Sequence, residues 1–236
     1  MTEDAKKAER WLPIESNPEV MNSFLRKLGV PADWEINDVF GLDPELLLML
    51  PQPVLALMLL FPITDNYKQF VLEKEEAIKN QTVSDKLYYM KQTISNACGT
   101  VALMHSVINN VNSGVIKLDD GPLKKFVEAT KAASPEERAE KLEDDDDICD
   151  AHDRAAREGQ TGAPGRDDKV DFHFICFVHV DGGLYELDGR KSGPVHLGKS
   201  SPDTFLTDAA AGCKEYMTRD PDNIHFNMLA LTAKMD

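Results

Sequence analysis

A chain of 236 residues, 42% hydrophobic and 28% charged, is long enough for one sizeable core and has the make-up of an ordinary globular domain. Its net charge of −15 argues against a nucleic-acid binder, because phosphates would be repelled, and suits a basic protein partner. That inference is discounted by residues 134–150, whose nine acids and two bases put nearly half of the excess on one solvated face. The opening MTEDAKKAERW has no apolar core of the secretory kind. The run LLLMLPQPVLALMLLFPI is cut by Pro51, Gln52 and Pro53, short of the ~20 residues a spanning helix needs, so it reads as core.

In chain order, SNPEVMNSFLRKLG predicts a helix with Asn17 as N-cap, Pro18 at its first position and Gly29 to stop it. WEINDVF and PVLALMLLF predict strands, the second unbroken in the manner of a sheet's buried middle. NYKQFVLEKEEAIKNQ is amphipathic. The segment after Cys98 is apolar around almost its whole circumference, the mark of a helix through the centre of the domain. DDGPLKKFVEAT predicts another helix, and SPEERAEKL opens with a capping box, Ser134 to Glu137. From about Asp150 to Lys169 no apolar face is found, which predicts a long irregular loop, either a lid or plain surface. DFHFICFVHV, a DG turn and GLYELDGR form a hairpin, SPDTFLTDAAAGCKEYMTR a helix, and HFNMLALTA a final strand. The expected fold is α/β (α+β), a mostly antiparallel central sheet flanked by helices, in one domain over 1–236.

Four cysteines without a C-x-x-C pair point to free thiols in a reducing compartment, and neither cysteines nor histidines fall at zinc-ligand spacing. Cys98 stands out. If the central helix starts near Asn96 or Ala97, this thiol lies in the first turn, where unpaired N–H groups and the macrodipole favour a thiolate. The bland alternative is a small packing residue. A nucleophile also needs a base and an orienting acid. A two-residue turn on Asp181-Gly182 sets Asp188 opposite Ile175, making His173 and Asp188 diagonal neighbours on one face. The same register makes His179 and Glu186 a rival pair, and hairpin geometry alone does not choose between them. Gln92, six residues before Cys98, can supply a side-chain donor for an oxyanion; alone it would read as a surface amide.

MKQTISNACGT, VDFHFICFVHVDGGLYELDGR and RWLPIESNPEV, with DPELL and LLFPIT, resemble the ubiquitin carboxyl-terminal hydrolases, in particular their short, single-domain branch. The likeness runs from Arg10 to about Thr232. The resemblance implies Cys98 as nucleophile, His173 as base and then acid, Asp188 as orienting residue and Gln92 as oxyanion donor. It thereby selects His173 over His179. It implies a papain-like cysteine peptidase architecture with a flexible crossover loop over the active site, at about 150–169, of which EGQTGAP is the recognisable part. Ubiquitin contacts are implied at Pro13, Ile14, Glu15, Ser16 and Asn17, at Glu158, Gly159, Gln160 and Thr161, and at Arg219, Asp220 and Pro221. The expected activity is cleavage of small adducts from the terminal glycine of ubiquitin, or of a close ubiquitin-like protein. No cofactor, metal, nucleic acid or membrane is expected, and the protein is expected as a cytoplasmic or nuclear monomer. The rival readings are a ubiquitin-binding module without turnover and another Cys-His-Asp acyltransferase.

Overall fold

The structure, a computed structural model, describes residues 10–160 and 170–235. Within them six strands form one sheet, β1 (Trp34–Asp38), β2 (Val54–Pro62), β3 (Phe172–Val180), β4 (Gly183–Leu187), β5 (Val195–Lys199) and β6 (Asn227–Ala233). Their spatial order is β1-β6-β2-β3-β4-β5, and every pairing is antiparallel.

The apolar runs of β2 and β3 follow from their central place. Leu57, Leu59, Phe61, Ile175 and Phe177 pack on one face against helix α8 (Phe205–Arg219). The alternate residues Ala56, Met58, Phe174, Cys176 and Val178 pack on the other, where α4 (Cys98–Asn112) lies. A strand covered on both faces has no reason to alternate with polar residues. Helix α4 is buried at every residue from Cys98 to Asn110. Two of its buried polar side chains hold the chain that precedes it. Nε2 of His105 accepts the Met90 N–H at 3.1 Å, and the Asn109 amide accepts from Tyr88 N–H at 2.8 Å while donating to the Tyr88 carbonyl at 2.9 Å. Satisfied in this way, buried polar groups fix where the chain before Cys98 runs along the helix.

Helix α1 (Pro18–Leu28) begins and ends as the sequence predicts: the Asn17 side chain accepts the Glu19 N–H, and Gly29 closes the last turn at φ 90°. Replacing Asn17 by alanine is expected to lower stability by about 1 kcal/mol, the usual worth of such a cap, read from urea unfolding. The helices α3 (Asp65–Asn80), α5 (Pro122–Thr130) and α6 (Pro135–Glu143) also lie where expected, and the capping box of α6 is formed by both of its hydrogen bonds.

The expectation of an irregular stretch from Asp150 is corrected. Helix α7 (Asp146–Arg157), capped by Asp145, occupies its first eight residues. The buried stripe is Ile148, Ala151, His152, Ala155 and Ala156. Its spacing is helical, but three alanines and a histidine carry too little hydrophobicity to stand out among charges. Residues 158–160 continue as loop, and the rest of the expected crossover segment, 161–169, lies outside the described residues. Two elements have no counterpart among the expectations. One is the short helix α2 (Pro44–Leu47); the other is β5, an edge strand whose five residues are broken by Gly198 and half exposed.

Candidate active site

Cys98 is the first residue of α4, with Ala97 at the cap position. Asn96, at φ 65°, turns the chain into the helix, and its side-chain amide ties that turn to the Trp11 carbonyl at 3.1 Å. The first N–H groups of the helix have no intrahelical acceptor and lie around the thiol. Burial pushes the thiol pKa up, but His173, a hydrogen bond from the Phe174 backbone and the charge of Arg190 outweigh it, and the net shift is downward. Burial also acts on Cys176, and there nothing opposes it, so that thiol is pushed far up. The same elementary group is thus made more acidic in one place and less acidic in another.

The hairpin has the expected register. Asp181 and Gly182 both have positive φ, Val180 pairs with Gly183, and the ladder runs to Cys176 opposite Leu187. One step further brings Asp188 beside the row that carries His173. Both side chains are fully buried, and Nε2 of His173 meets Oδ1 of Asp188 at 2.7 Å. Burial disfavours the imidazolium, but the Asp188 carboxylate and then the Cys98 sulfur favour it more, and the pKa of His173 rises to about 9. Asp188 is held well below the usual carboxylate range: burial raises it, while His173, Lys191 and Tyr67 lower it further. With Nε2 engaged, Nδ1 remains buried without a hydrogen bond among the described residues, the ring nitrogen left to serve sulfur. Apo sites often hold such contacts loosely and tighten them on substrate. The rival pair does not form. Glu186 is buried and bonded to Lys191 Nζ and to the Tyr216 hydroxyl, the latter at 2.9 Å, while His179 stands opposite Leu184.

Gln92 enters from the segment that α4 holds in place, and its N–H donates to the Gly189 carbonyl at 2.9 Å. Its side-chain amide donates to the Ile94 carbonyl at 3.1 Å, which leaves the second amide proton for another acceptor. Gly189 is required here by close approach: a Cβ would come within 2.8 Å of the Gln92 Cβ and 3.1 Å of its backbone nitrogen. Gly189→Ala is therefore expected to displace Gln92 and the residue after Asp188 together. A fall of about tenfold in kcat/KM is expected, on the scale of small misplacements near reacting groups, measured by steady-state kinetics.

A cavity of about 190 Å³ opens onto Cys98, lined among others by Pro13, Ile14, Glu15, Ser16, Phe172 and Phe174. Four of the expected contact residues thus meet at the thiol. They are held there from behind: the His152 ring bonds Thr100 Oγ1 at 2.8 Å and the Leu12 carbonyl at 2.7 Å, and meets the Trp11 ring at a tilt, 4.2 Å between centres. Asn17 instead caps α1. Glu158 is bonded to Ser23 and Lys27 of that helix, Gly159 lies against the Glu15 carboxylate, and Gln160 is exposed. Thr161 lies outside the described residues. The third group sits apart. The Arg219 guanidinium stacks 3.4 Å from the Phe70 ring centre, Asp220 accepts from Thr64 and Asn66, and Pro221 is exposed. Phe172 meets His225 edge-on at 6.5 Å and so joins this patch to the cavity rim.

A buried thiol at a helix start, an imidazole and a carboxylate in line, and a small cavity over the sulfur are the parts of an acyl-transfer site. Comparison with known proteins is decisive. The sequence model of the family described as ubiquitin carboxyl-terminal hydrolase, family 1, matches residues 11–218. The chain belongs to this family. A ubiquitin carboxyl-terminal hydrolase of Aplysia californica is 50% identical over 216 residues, spanning 91% of this chain and 98% of the relative. The ubiquitin carboxyl-terminal hydrolase isozyme L1 of Homo sapiens is 47% identical over 220 residues, with 93% and 96% covered. Among solved structures, the catalytic domain of Trichinella spiralis UCH37 bound to ubiquitin vinyl methyl ester matches with a TM-score of 0.76 at 25% identity, covering 97% of this chain and 98% of that one. The fold is that of the catalytic domains of ubiquitin carboxyl-terminal hydrolases, mixed α/β and papain-like.

Sequence reasoning missed the cavity wall. Phe172, Phe174, Leu60 and Ala156 line it with Cys98, yet each reads as an ordinary strand or helix residue. It also missed Tyr67, whose hydroxyl donates to Asp188 Oδ2 at 2.6 Å, because no short-range pattern links α3 to the hairpin.

Proposed function

We propose that the protein is a deubiquitinating cysteine hydrolase in which Cys98 is the nucleophile, His173 the proton carrier, Asp188 its orienting partner and Gln92 an oxyanion donor. The observation that carries this reading is the succession of Cys98, His173 and Asp188, with Cys98 lining a small cavity, in a chain of this family. At about 190 Å³ the cavity is smaller than the ~300–1,000 Å³ of common ligand sites. A cavity of this size suits an extended Gly-Gly tail, which brings no side chains into it.

In the reaction, the Cys98 thiolate attacks the carbonyl carbon of the terminal glycine. The oxyanion takes hydrogen bonds from the Cys98 N–H and the second proton of the Gln92 amide. The imidazolium gives its Nδ1 proton to the departing amine, the carbon–nitrogen bond breaks, and a thioester remains. Neutral His173 then takes a proton from water, hydroxide adds to the thioester, and the thiolate leaves with ubiquitin's carboxylate released. Ubiquitin docks along Pro13–Ser16, Glu158–Gln160 and the patch at 219–221. A close ubiquitin-like protein with the same tail would enter by the same route. The chain works as a monomer in a reducing compartment, where the thiol stays available.

The test is release of a fluorescent amine from the carboxyl terminus of ubiquitin by the reduced, unmutated protein. Turnover with ubiquitin, and little with a free tail peptide of the same last residues, is expected. A folded, reduced protein that binds ubiquitin without releasing the amine is a binding module, and the hydrolase reading is then wrong.

A further inference from the structure

Asp188 is fully buried, and its two oxygens are served differently. Oδ1 accepts from Nε2 of His173 at 2.7 Å and from the Arg190 N–H at 2.9 Å. Oδ2 accepts from the Tyr67 hydroxyl at 2.6 Å. Tyr67 comes from the first turn of α3, far from the hairpin in sequence, and its own N–H is capped by Thr64 Oγ1 at 3.1 Å. Its ring meets Phe61 edge-on at 4.9 Å, and Phe61 meets the His173 ring edge-on at 5.8 Å.

We propose that Tyr67 is a positioning residue for the hydrolysis: by holding Oδ2 it keeps the Asp188 carboxylate from turning about its Cβ–Cγ bond, and so fixes the His173 ring against Cys98. This rests on the functional reading above. Without the hydroxyl, Oδ2 would be a buried anionic oxygen with no donor among the described residues, a state that drives a carboxylate to reorient. The other groups around the pair do not replace it. Arg190 acts on Asp188 through its backbone N–H, and Lys191 is engaged with Glu186 and Tyr216. Tyr216 gives its hydroxyl to Glu186, Tyr89 reaches the Asp188 backbone carbonyl, and Cys98 faces His173 from α4. Burial and the Asp188 charge keep the Tyr67 phenol protonated over the whole working range, so it remains a donor.

The experiment compares unmutated protein with Tyr67→Phe, which keeps the ring and removes only the hydroxyl. The readings are kcat and KM on ubiquitin carrying a fluorescent amine, and the pH midpoint of Cys98 alkylation by iodoacetamide. A fall in kcat of about tenfold with KM changed less than about twofold is expected, on the scale of other outer-shell partners of a catalytic group. The alkylation midpoint is expected to move to higher pH, because an imidazolium with a loosened carboxylate is a weaker counter-ion for the thiolate. Loss of kcat without a shift of the midpoint means a merely structural tyrosine and overturns the proposal, as does no change in either. If Tyr67→Phe does not fold, NMR of the unmutated protein decides: a slowly exchanging Tyr67 hydroxyl proton supports the contact, and a rapidly exchanging one overturns it. Absence of turnover in the unmutated protein would defeat the hydrolase reading instead, and the alkylation midpoints would still report on Tyr67.

Discussion

Cys98→Ala is expected to abolish amine release from ubiquitin, by about 10⁴-fold or more, as when other hydrolases lose their nucleophile. Binding of ubiquitin is expected to survive, because the substitution removes one sulfur and leaves the start of α4 and the cavity wall unchanged. Cys98→Ser tests the electrostatics more sharply. The site lowers the pKa of a thiol by placing His173, the Phe174 N–H and Arg190 around it, yet an alcohol starts far too high for the same surroundings to ionise it. The serine form is expected to be nearly as inactive as the alanine form. Selective chemistry follows from the same contrast. Burial pushes the Cys176 and Cys213 thiols up, so iodoacetamide at neutral pH is expected to label Cys98 well before either, as read by peptide mass spectrometry. Turnover that persists in Cys98→Ala would assign the nucleophile elsewhere.

Much of this site was legible because its parts sit in local patterns. The hairpin turn at Asp181-Gly182 is a two-residue turn with both φ angles positive, and from it strand periodicity carries His173 and Asp188 to one face. What periodicity could not do was choose between His173 with Asp188 and His179 with Glu186. That choice depends on Lys191 and Tyr216, which engage Glu186 from a loop and from α8. Helix α4 was visible as an apolar run, while the contacts by which Asn109 and His105 clip it to Tyr88 and Met90 have no signature in that run. Helix α7 was lost for the opposite reason, since small residues bury well and signal weakly. Long-range contacts such as Tyr67 to Asp188, 121 residues apart, have no signature in one sequence.

Asp188→Asn is expected to lower kcat by about 10³-fold, within the range seen when the acid of a comparable triad becomes an amide. The geometry of the turn after β4 is retained, because the amide oxygen can still accept the Arg190 N–H that Oδ1 accepts now. The charge is not. His173 stands at about 9 chiefly because the carboxylate overcomes the penalty of burial, so without it the imidazolium becomes unfavourable and the pKa falls below its ordinary 6.5. Cys98 then loses the cation that pulls its own pKa down, and burial takes over and raises it. The thiolate–imidazolium pair exists between those two pKa values. In the unmutated protein that window opens at the lowered thiol pKa and closes near 9; in Asp188→Asn the thiol value rises past the falling imidazole value, so the charged pair is no longer the main form at any pH. The pH profile of kcat/KM should therefore fall and shift, its acid limb now set by the lowered imidazole and its alkaline limb by the raised thiol. Stability moves with the same sign. A group whose folded pKa lies above its unfolded value stabilises at low pH and loses that contribution as pH rises through the folded value. The His173 contribution is thus present in full below about 6.5 and is gone above about 9, while the lowered thiol of Cys98 contributes with the opposite slope, so the two offset each other in urea unfolding where both are shifted. An asparagine variant with a lower kcat but an unshifted profile would show that Asp188 acts only by shape, and the charge argument for the pair would have to be abandoned.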